Sequence, residues 1–262
     1  MEARAPLAVE AVPAPPMAAA EPPRLGLIAL ATDLTFERDA ARLLPPDEAA
    51  LHATRIAFEN PTTPERLRAT APRLGEAAAL LAPGVRLRAI AYACTSASVA
   101  IGVAEVEAAI GRGRPGVPVV TPVSAALQAF AALGVGRIAL LTPYLARTAE
   151  PMAAFFEDAG VSVARAVCFG MEDDRAMARL DPDGLARAVA ALDARGAEAV
   201  FVACTALPAL GVAARVEAET GRPVVTANGA TLWAMRRLAG LDGAPRGFGR
   251  LQAEPLPEGA FA

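Results

Sequence analysis

The sequence predicts an α/β protein built from two similar lobes, each with a parallel β-sheet, and related by a pseudo-dyad with a site between them. Apolar runs of strand length alternate with longer segments of helical periodicity over residues 24–240. Strands that are apolar throughout are typical of parallel sheets covered by helices on both faces. In addition, landmarks of the first half recur in the second, and each half contains an apolar run that ends in Ala-Cys-Thr.

The strands are predicted from apolar runs such as Leu-Gly-Leu-Ile-Ala-Leu-Ala at residues 25–31, and the helices from apolar residues that recur with a period of 3.6. In chain order, the first half has strands at 25–31, 53–58, 87–93 and 117–120, with helical segments at 64–82, 98–110 and 123–133. The second half has strands at 136–141, 161–168, 198–203 and 223–226, with helical segments at 147–159, 182–194 and 229–239.

Three landmarks repeat in the same order. Residues 27–30 read Leu-Ile-Ala-Leu and residues 138–141 read Ile-Ala-Leu-Leu; Pro-Val-Val-Thr occurs at 118–121 and at 223–226. Cys94 and Cys204, in the two Ala-Cys-Thr phrases, are 110 positions apart. The alternative explanation for these matches is that buried parallel strands resemble one another in sequence without any repeat. A true repeat predicts two lobes whose strand ends meet at one cleft, with the two thiols on opposite walls.

The repeat divides the chain into lobes and tails. We expect an N-terminal lobe of 24–121 with 226–240, a C-terminal lobe of 122–225, and a C-terminal tail of 241–262. Residues 1–23 are rich in Ala and Pro and predict a disordered tail, because their prolines break helices and their glutamates interrupt any apolar signal sequence. No apolar stretch is long enough to predict a membrane-spanning helix.

Composition limits the functions that the chain can have. A net charge of −3, with basic residues scattered among acidic ones, argues against nucleic-acid binding. Three cysteines fit neither a disulfide framework nor a zinc pattern, and the single His52 gives little support to a metal site. We therefore expect reduced thiols, a cytoplasmic location, no cofactor, a small-molecule substrate and possible homo-oligomers.

The two repeated cysteines are the candidate reacting groups. Each is followed by residues that start and cap a helix, with Thr95, Ser96 and Ser98 after Cys94 and Thr205 after Cys204. Backbone N–H groups at such a start favour a thiolate or a carboxylate. Two opposed thiols can act as base and acid, or as nucleophile and acid. Buried cysteines are also often inert, and Cys168, which lacks the phrase, is predicted to be a core residue.

Five phrases occur in a fixed order along the chain. They are Leu-Gly-Leu-Ile at 25–28 leading to Asp33, Ala-Cys-Thr-Ser at 93–96, Leu-Thr-Pro-Tyr at 141–144, Gly-Met-Glu-Asp-Asp at 170–174 and Ala-Cys-Thr-Ala at 203–206. Taken together they resemble the aspartate/glutamate racemase superfamily and, within it, the branch of maleate cis-trans isomerases, arylmalonate decarboxylases and ectoine-utilisation proteins. Residues 31–39 and 60–64 look most like the subgroup of ectoine-utilisation protein A.

This resemblance implies a cofactor-free enzyme that acts beside a carboxylate. The family's first cysteine, here Cys94, serves as base or nucleophile, and its second, here Cys204, as the acid partner. Thr95, Ser96 and Tyr144 match residues that hold a carboxylate. The decarboxylases lack the first cysteine, so its presence favours a racemase or isomerase. The alternatives are an arylmalonate-type decarboxylase, a maleate cis-trans isomerase and a non-catalytic small-molecule-binding protein.

Two acidic residues depart from the maleate isomerase pattern, which has Asn where this chain has Asp33 and another Asn near Asp174. A carboxylate there repels a dianion such as maleate. Asp33 and Asp174 instead favour a substrate with an ammonium group, such as an amino-acid derivative related to ectoine. Alternatively, Asp33 only caps the following turn. Asn228 is either a cleft residue or a helix cap, and Gly-Arg-Gly-Arg-Pro-Gly at 111–116 is a helix-to-strand loop rather than a nucleotide site.

Overall fold

Two parallel sheets form the framework of the computed structural model, which describes residues 9–17, 21–192, 194 and 196–261. Within these residues each sheet has four strands, and the strand orders are β2-β1-β3-β4 and β6-β5-β7-β8. The strands are β1 (Arg24–Leu30), β2 (Ala50–Ile56), β3 (Ile90–Ala93), β4 (Val119–Val120), β5 (Arg137–Tyr144), β6 (Ser162–Met171), β7 (Ala199–Val202) and β8 (Val224–Thr226).

The same order of strands in both sheets confirms the predicted fold class and the internal repeat. All neighbouring strands are parallel. The central strands β1, β3, β5 and β7 consist almost entirely of buried side chains. Buried strands of this kind were detectable from sequence because their apolar runs have no polar alternation.

All six predicted helical segments contain helices, two of them subdivided, whereas three further helices, Phe36–Leu43, Asp174–Met177 and Val212–Thr220, were not predicted. Predicted helix 98–110 is two helices that meet at Gly102, whose φ of +101° suits a residue without a Cβ. Predicted helix 64–82 is two short helices separated by a 3₁₀ turn at Ala71–Arg73. The helices are α1 (Phe36–Leu43), α2 (Pro64–Arg68), α3 (Leu74–Ala79), α4 (Thr95–Ile101), α5 (Val103–Gly113), α6 (Pro122–Leu133), α7 (Ala146–Asp158), α8 (Asp174–Met177), α9 (Pro182–Ala190), α10 (Val212–Thr220) and α11 (Ala227–Leu238).

The chain crosses from the first sheet to the second at Thr121 and leaves the second at Thr226, the positions at which the predicted lobes divide. Each threonine is the N-cap of the next helix: its hydroxyl accepts from the N–H of Ser124 at α6 and of Gly229 at α11. Helix α11 then packs against β3, β4 and α1, so the end of the chain returns to the first sheet.

The C-terminal segment packs on α11. Trp233 donates its indole N–H to the carbonyl of Glu254 at 2.8 Å, and Gln252 donates to the carbonyl of Gly229 at 3.1 Å. Of the predicted N-terminal tail, residues 1–8 and 18–20 lie outside the described residues, while residues 9–17 are exposed and form no helix or strand. None of the helices in the described part of the chain is both long enough and apolar enough to cross a membrane.

The prediction that Cys168 lies in the core is wrong, because its side chain is exposed. It belongs to β6, which is an edge strand of the second sheet. Most side chains of this strand are half-buried or exposed, in contrast to those of the central strands. An apolar run at the edge of a sheet looks like a central strand in sequence, since the pattern does not reveal which strands have two neighbours.

An aromatic cluster in the second lobe joins α6, α7 and β7. Phe156 lies with its ring centroid 5.7 Å from that of Phe130 and 5.3 Å from that of Phe201, both in edge-to-face geometry. All three rings are buried. The cluster therefore forms part of the core of the second lobe.

We predict that Phe156→Ala lowers the free energy of unfolding by about 3–5 kcal/mol, because it leaves a cavity and removes both edge contacts. Chemical denaturation measures the change. Phe169→Ala is the control, since Phe169 is 39% exposed, and it should cost less than about 1 kcal/mol. Equal losses in the two variants would contradict this description of the core.

Candidate active site

Cys94 lies directly after β3 and is the N-cap residue of α4, as predicted. The predicted capping is wrong, however, because no side chain caps this helix start. Ser98 instead donates its hydroxyl to the carbonyl of Cys94 at 2.7 Å. The backbone N–H of Ala97 lies close enough to the Cys94 sulfur to act on the pKa of the thiol. The strand end and the first turn of α4 thus fix the thiol from both sides.

Cys204 follows β7, but a turn rather than a helix comes next, since α10 begins only at Val212. The predicted cap by Thr205 is therefore wrong. The Thr205 hydroxyl donates to the carbonyl of Ala93 in the first lobe, at 3.1 Å. Cys204 has a φ of +104°, a conformation that residues other than glycine rarely adopt. The N–H of Ala206 lies close enough to its sulfur to act on the pKa of the thiol.

Tyr144, at the end of β5, connects the surroundings of the two thiols. Burial raises the pKa of its hydroxyl, and Cys204, Cys94 and Ser96 also act on that pKa, so the hydroxyl lies close to all three side chains. The Ser96 hydroxyl lies 3.8 Å from the Cys94 sulfur. The ends of β3, β5 and β7 therefore bring both thiols and two hydroxyls into one cluster, and all four side chains are buried.

Burial keeps both thiols neutral in this state. It raises the pKa of Cys94 to about 12, with the nearby charge of Asp174 adding to the rise. Burial likewise raises the pKa of Cys204 well above its ordinary value, and Asp174 again contributes. Each sulfur accepts hydrogen bonds that lower its pKa, but they do not offset the loss of solvent.

Thr95 offers a hydroxyl beside this cluster. The residue is fully buried, and its Oγ1 has no hydrogen-bond partner among the described residues. The same is true of Thr142, two residues before Tyr144 on β5. A buried hydroxyl without a partner is costly, so such groups are good candidates for contacts with a bound molecule.

Two buried carboxylates lie near the thiols. Asp33 accepts the backbone N–H groups of Thr35 and Phe36 through Oδ1, at 2.9 Å each, and thus shapes the turn before α1. Burial raises its pKa to about 6. Asp174 accepts from the hydroxyls of Thr32 and Thr62, at 2.8 and 3.1 Å. Burial also raises the pKa of Asp174.

Sequence reasoning did not identify the loop that accompanies Asp174. Thr62 donates its backbone N–H to the carbonyl of Glu172 at 2.9 Å, and Asn60 donates its amide to Asp173 at 2.7 Å. These bonds join the segment after β2 to the segment after β6, the equivalent strand of the other sheet. The distinctive Asn-Pro-Thr-Thr-Pro run at 60–64 was the available signal.

The acidic run at 172–174 is accounted for by these contacts and by the ion pair of Glu172 with Arg147. Within the described residues, no three His, Cys, Asp or Glu side chains are grouped as metal ligands would be. His52 lies on β2 and its ring nitrogen is 3.3 Å from Arg24, outside the thiol cluster.

Comparison with known proteins places this geometry in a family. The model of the arylmalonate decarboxylase family matches residues 25–252. The chain belongs to this family. The match includes both cysteines, Tyr144 and the two buried carboxylates. It confirms the predicted resemblance to arylmalonate decarboxylases, while the closer likeness to the ectoine-utilisation subgroup stays a prediction.

Curated relatives have two different activities. The maleate isomerase of Pseudomonas putida (strain KT2440) is 28% identical over 242 residues, which cover 87% of this chain and 96% of that protein. The arylmalonate decarboxylase of Bordetella bronchiseptica is 34% identical over 143 residues, or 53% of this chain and 60% of that protein.

Solved structures agree with the fold. Maleate isomerase Iso from Pseudomonas putida S16, in a variant with maleate bound, has a TM-score of 0.81 at 25% identity, covering 89% of this chain and 98% of that one. A variant of Nocardia farcinica maleate cis-trans isomerase with a covalently bound succinylcysteine intermediate has a TM-score of 0.82 at 26% identity, covering 89% and 99%.

We predict that iodoacetamide at pH 8 alkylates Cys168 much faster than Cys94 or Cys204. Cys168 is exposed, whereas the other two are 5% and 4% exposed. A thiol with the Cys94 pKa of about 12 is ionised in roughly one molecule in 10,000 at this pH. Mass spectrometry of the three cysteine peptides over time gives the rates, with unfolded protein as the control. Equal rates in the folded protein would show that the thiols are not buried.

Proposed function

We propose that the chain is a cofactor-independent isomerase that acts at a carbon atom next to a carboxylate, with Cys94 and Cys204 as its two reacting groups. The observation that supports this proposal is the cluster at the strand ends, in which the Ser96 hydroxyl lies 3.8 Å from the Cys94 sulfur and both thiols lie close enough to Tyr144 to act on its pKa. Two thiols that reach one small molecule from opposite sides can move a proton across it.

In the preferred reaction, racemisation or epimerisation, the thiolate of one cysteine takes the proton from the carbon next to the carboxylate. The carbon–hydrogen electron pair stays on the substrate as an enediolate-like carbanion. The thiol of the other cysteine then gives its own proton to the opposite face and becomes the thiolate. The stereocentre is inverted, and the charge has moved from one sulfur to the other.

The hydroxyls of Thr95, Ser96 and Tyr144 hold the substrate carboxylate and donate to it as its negative charge increases. Donors fixed by the fold are most effective where charge develops during the reaction. The unpartnered Oγ1 of Thr95 supports this role, because it needs no bond to be broken before it binds a substrate. The Thr205 hydroxyl, also expected to bind substrate, already donates to Ala93.

Asp33 and Asp174 define the substrate class. Burial is the main cause of the raised pKa of Cys94, and the charges of Asp174 and Asp33 raise it further. Both carboxylates therefore lie close enough to the thiol to act on a substrate bound there. Two like charges 4 Å apart repel by about 4 kcal/mol at an effective dielectric of 20, which disfavours a dicarboxylate. A substrate with an ammonium group beside its carboxylate instead pairs with them. By offsetting these charges it also lowers the Cys94 pKa and so favours the reactive thiolate.

Amino-acid derivatives related to ectoine are the first compounds to test. Residues 31–39 and 60–64, which resemble the ectoine-utilisation subgroup, contribute Thr32, Asp33 and Thr62 to the surroundings of the acidic pair. The parts of the chain that carry the resemblance are thus the parts that touch the proposed ammonium site.

Cis-trans isomerisation is the second candidate, favoured by the maleate isomerase relatives. Here the Cys94 thiolate adds to the double bond and forms a carbon–sulfur bond, while Cys204 protonates the neighbouring carbon. Rotation about the resulting single bond and reversal of both steps release the isomer. Decarboxylation, which the family's description suggests, needs one proton donor, and the second thiol argues against it.

We predict that the wild-type protein in deuterium oxide exchanges the α-hydrogen of its amino-acid substrate, and that Cys94→Ser and Cys204→Ser each slow the loss of optical rotation by at least about 1000-fold. A hydroxyl is a far weaker acid than a thiol, so either change removes one half of the proton relay. NMR and polarimetry follow exchange and racemisation separately.

The control is Cys168→Ser, which alters an exposed thiol on the edge strand β6, outside the cluster, and should leave both rates unchanged. Carbon dioxide release that survives Cys94→Ser would indicate a decarboxylase instead. Binding without exchange or turnover, with any of the substrates named, would indicate a non-catalytic binding protein and would refute the proposal.

We predict that Asp33→Asn raises KM for a substrate with an ammonium group by about 10- to 100-fold and improves binding of maleate. Asn shapes the turn before α1 as well as Asp does, so the change removes charge and keeps structure. Asp173→Asn is the matched control, because it removes the charge of an exposed carboxylate next to Asp174 in the chain. Steady-state kinetics and calorimetric titration with maleate measure the effects. An unchanged KM in Asp33→Asn would refute the ammonium site.

A further inference from the structure

We propose that Asp39 and Asn228 are positioning residues that hold the turn carrying Cys204 and thereby aim its thiol, a role that rests on the function proposed above. Neither residue belongs to the thiol cluster. Asn228 donates one amide N–H to the carboxylate of Asp39 at 2.7 Å and the other to the carbonyl of Thr205 at 3.0 Å. The amide thus connects α1 to the residue that follows Cys204.

The turn needs to be held because Cys204 has a φ of +104°. A cysteine in this conformation is strained, and it relaxes unless its neighbours fix the backbone. No helix begins here to supply regular hydrogen bonds, in contrast to Cys94 at the start of α4. The two sulfurs therefore differ: one is fixed by secondary structure and the other by tertiary contacts.

Three hydrogen bonds from outside the second sheet fix residues 205 and 206. The Thr205 carbonyl accepts from Asn228, the Thr205 hydroxyl donates to Ala93, and the Thr35 hydroxyl donates to the carbonyl of Ala206 at 2.7 Å. Ala93 immediately precedes Cys94, so one of these bonds connects the two thiol-bearing segments directly.

Asp39 determines which way the Asn228 amide points. Both N–H groups face acceptors, while Oδ1 is buried without a partner among the described residues. If the amide turned over, its oxygen would face the Asp39 carboxylate and the Thr205 carbonyl, and both contacts would be repulsive. The carboxylate acceptor therefore selects the one orientation that donates to Thr205. A buried oxygen without a partner is costly, so the unpaired Oδ1 of Asn228 is consistent with a role for this orientation of the amide.

Helix α1 joins this arrangement to the substrate side of the site. The turn before it contains Asp33, its N-cap is Thr35, and Asp39 lies on its buried face. Asp39 is 5% exposed, with Arg38 and Arg42 of the same helix close enough to act on its pKa. A single helix of the first lobe thus carries the proposed ammonium partner and two of the residues that fix the second thiol.

The experiment measures alkylation of the three cysteines in the full chain by iodoacetamide, with no substrate, for Asn228→Asp. A carboxylate cannot donate to Thr205, so the turn relaxes. We expect the rate at Cys204 to rise about tenfold, with the rates at Cys94 and Cys168 unchanged. Once a substrate is known, kcat should fall about 100-fold with little change in KM.

Gln252→Glu is the matched control. Gln252 is also a buried amide that donates to a backbone carbonyl and has an unpaired oxygen, but its partner is Gly229 on α11. Asp39→Asn is the second variant, since it keeps an acceptor for Asn228 without the charge; Cys204 alkylation should rise less than in Asn228→Asp.

A rise at Cys204 in Asn228→Asp no larger than in Gln252→Glu would overturn the proposal, as would equal rises at Cys94 and Cys204, which indicate general loosening. If Asn228→Asp does not fold, the Asp39→Asn result decides: an unchanged Cys204 rate overturns the proposal. Because alkylation needs no turnover, failure of the proposed reaction would leave this test intact and would be recognised separately.

Discussion

The rest of the site depends on the close approach of Cys94, Cys204 and Tyr144, in which each thiol acts on the pKa of the buried Tyr144 hydroxyl. These groups meet because parallel strands from the two sheets end at the same place, with β3 leading to Cys94 and β5 and β7 leading to Tyr144 and Cys204. In a parallel sheet, the loops that follow the carboxyl ends of the strands all lie along the same side of the sheet. Repetition of that arrangement in one chain brings two cysteines from equivalent strand ends into one buried cluster.

Removal from solvent makes this arrangement chemically selective. Burial and the nearby Asp174 favour the protonated form of both thiols. In the proposed reaction, an ammonium-bearing substrate offsets the carboxylates, whereas a negatively charged one adds to the repulsion. The carboxylates that disfavour the thiolate in the empty site would thus also select the substrate, within a fold that the chain shares with maleate isomerases.

Much of the fold was predictable from sequence, because buried parallel strands and repeated phrases leave direct traces in the order of residues. The pairing of Cys94 with Cys204 and the place of Tyr144 followed from that repeat. The helix α1 was missed since its few buried residues, such as Phe36 and Leu43, are separated by charged ones. The exposure of Cys168, the turn after Cys204 and the contact of Asn228 with Asp39 depend on which elements become neighbours, and a single sequence carries no such record.

The account is tested most directly by a crystal structure of the protein with an unreactive amino-acid analogue of its substrate. The account predicts that one carbon atom of the analogue, next to its carboxylate, lies about 3.5 Å from both sulfurs, on opposite faces. The carboxylate should contact the hydroxyls of Ser96 and Tyr144. A ligand whose nearest carbon approaches only one sulfur, or none, would contradict a mechanism that uses both.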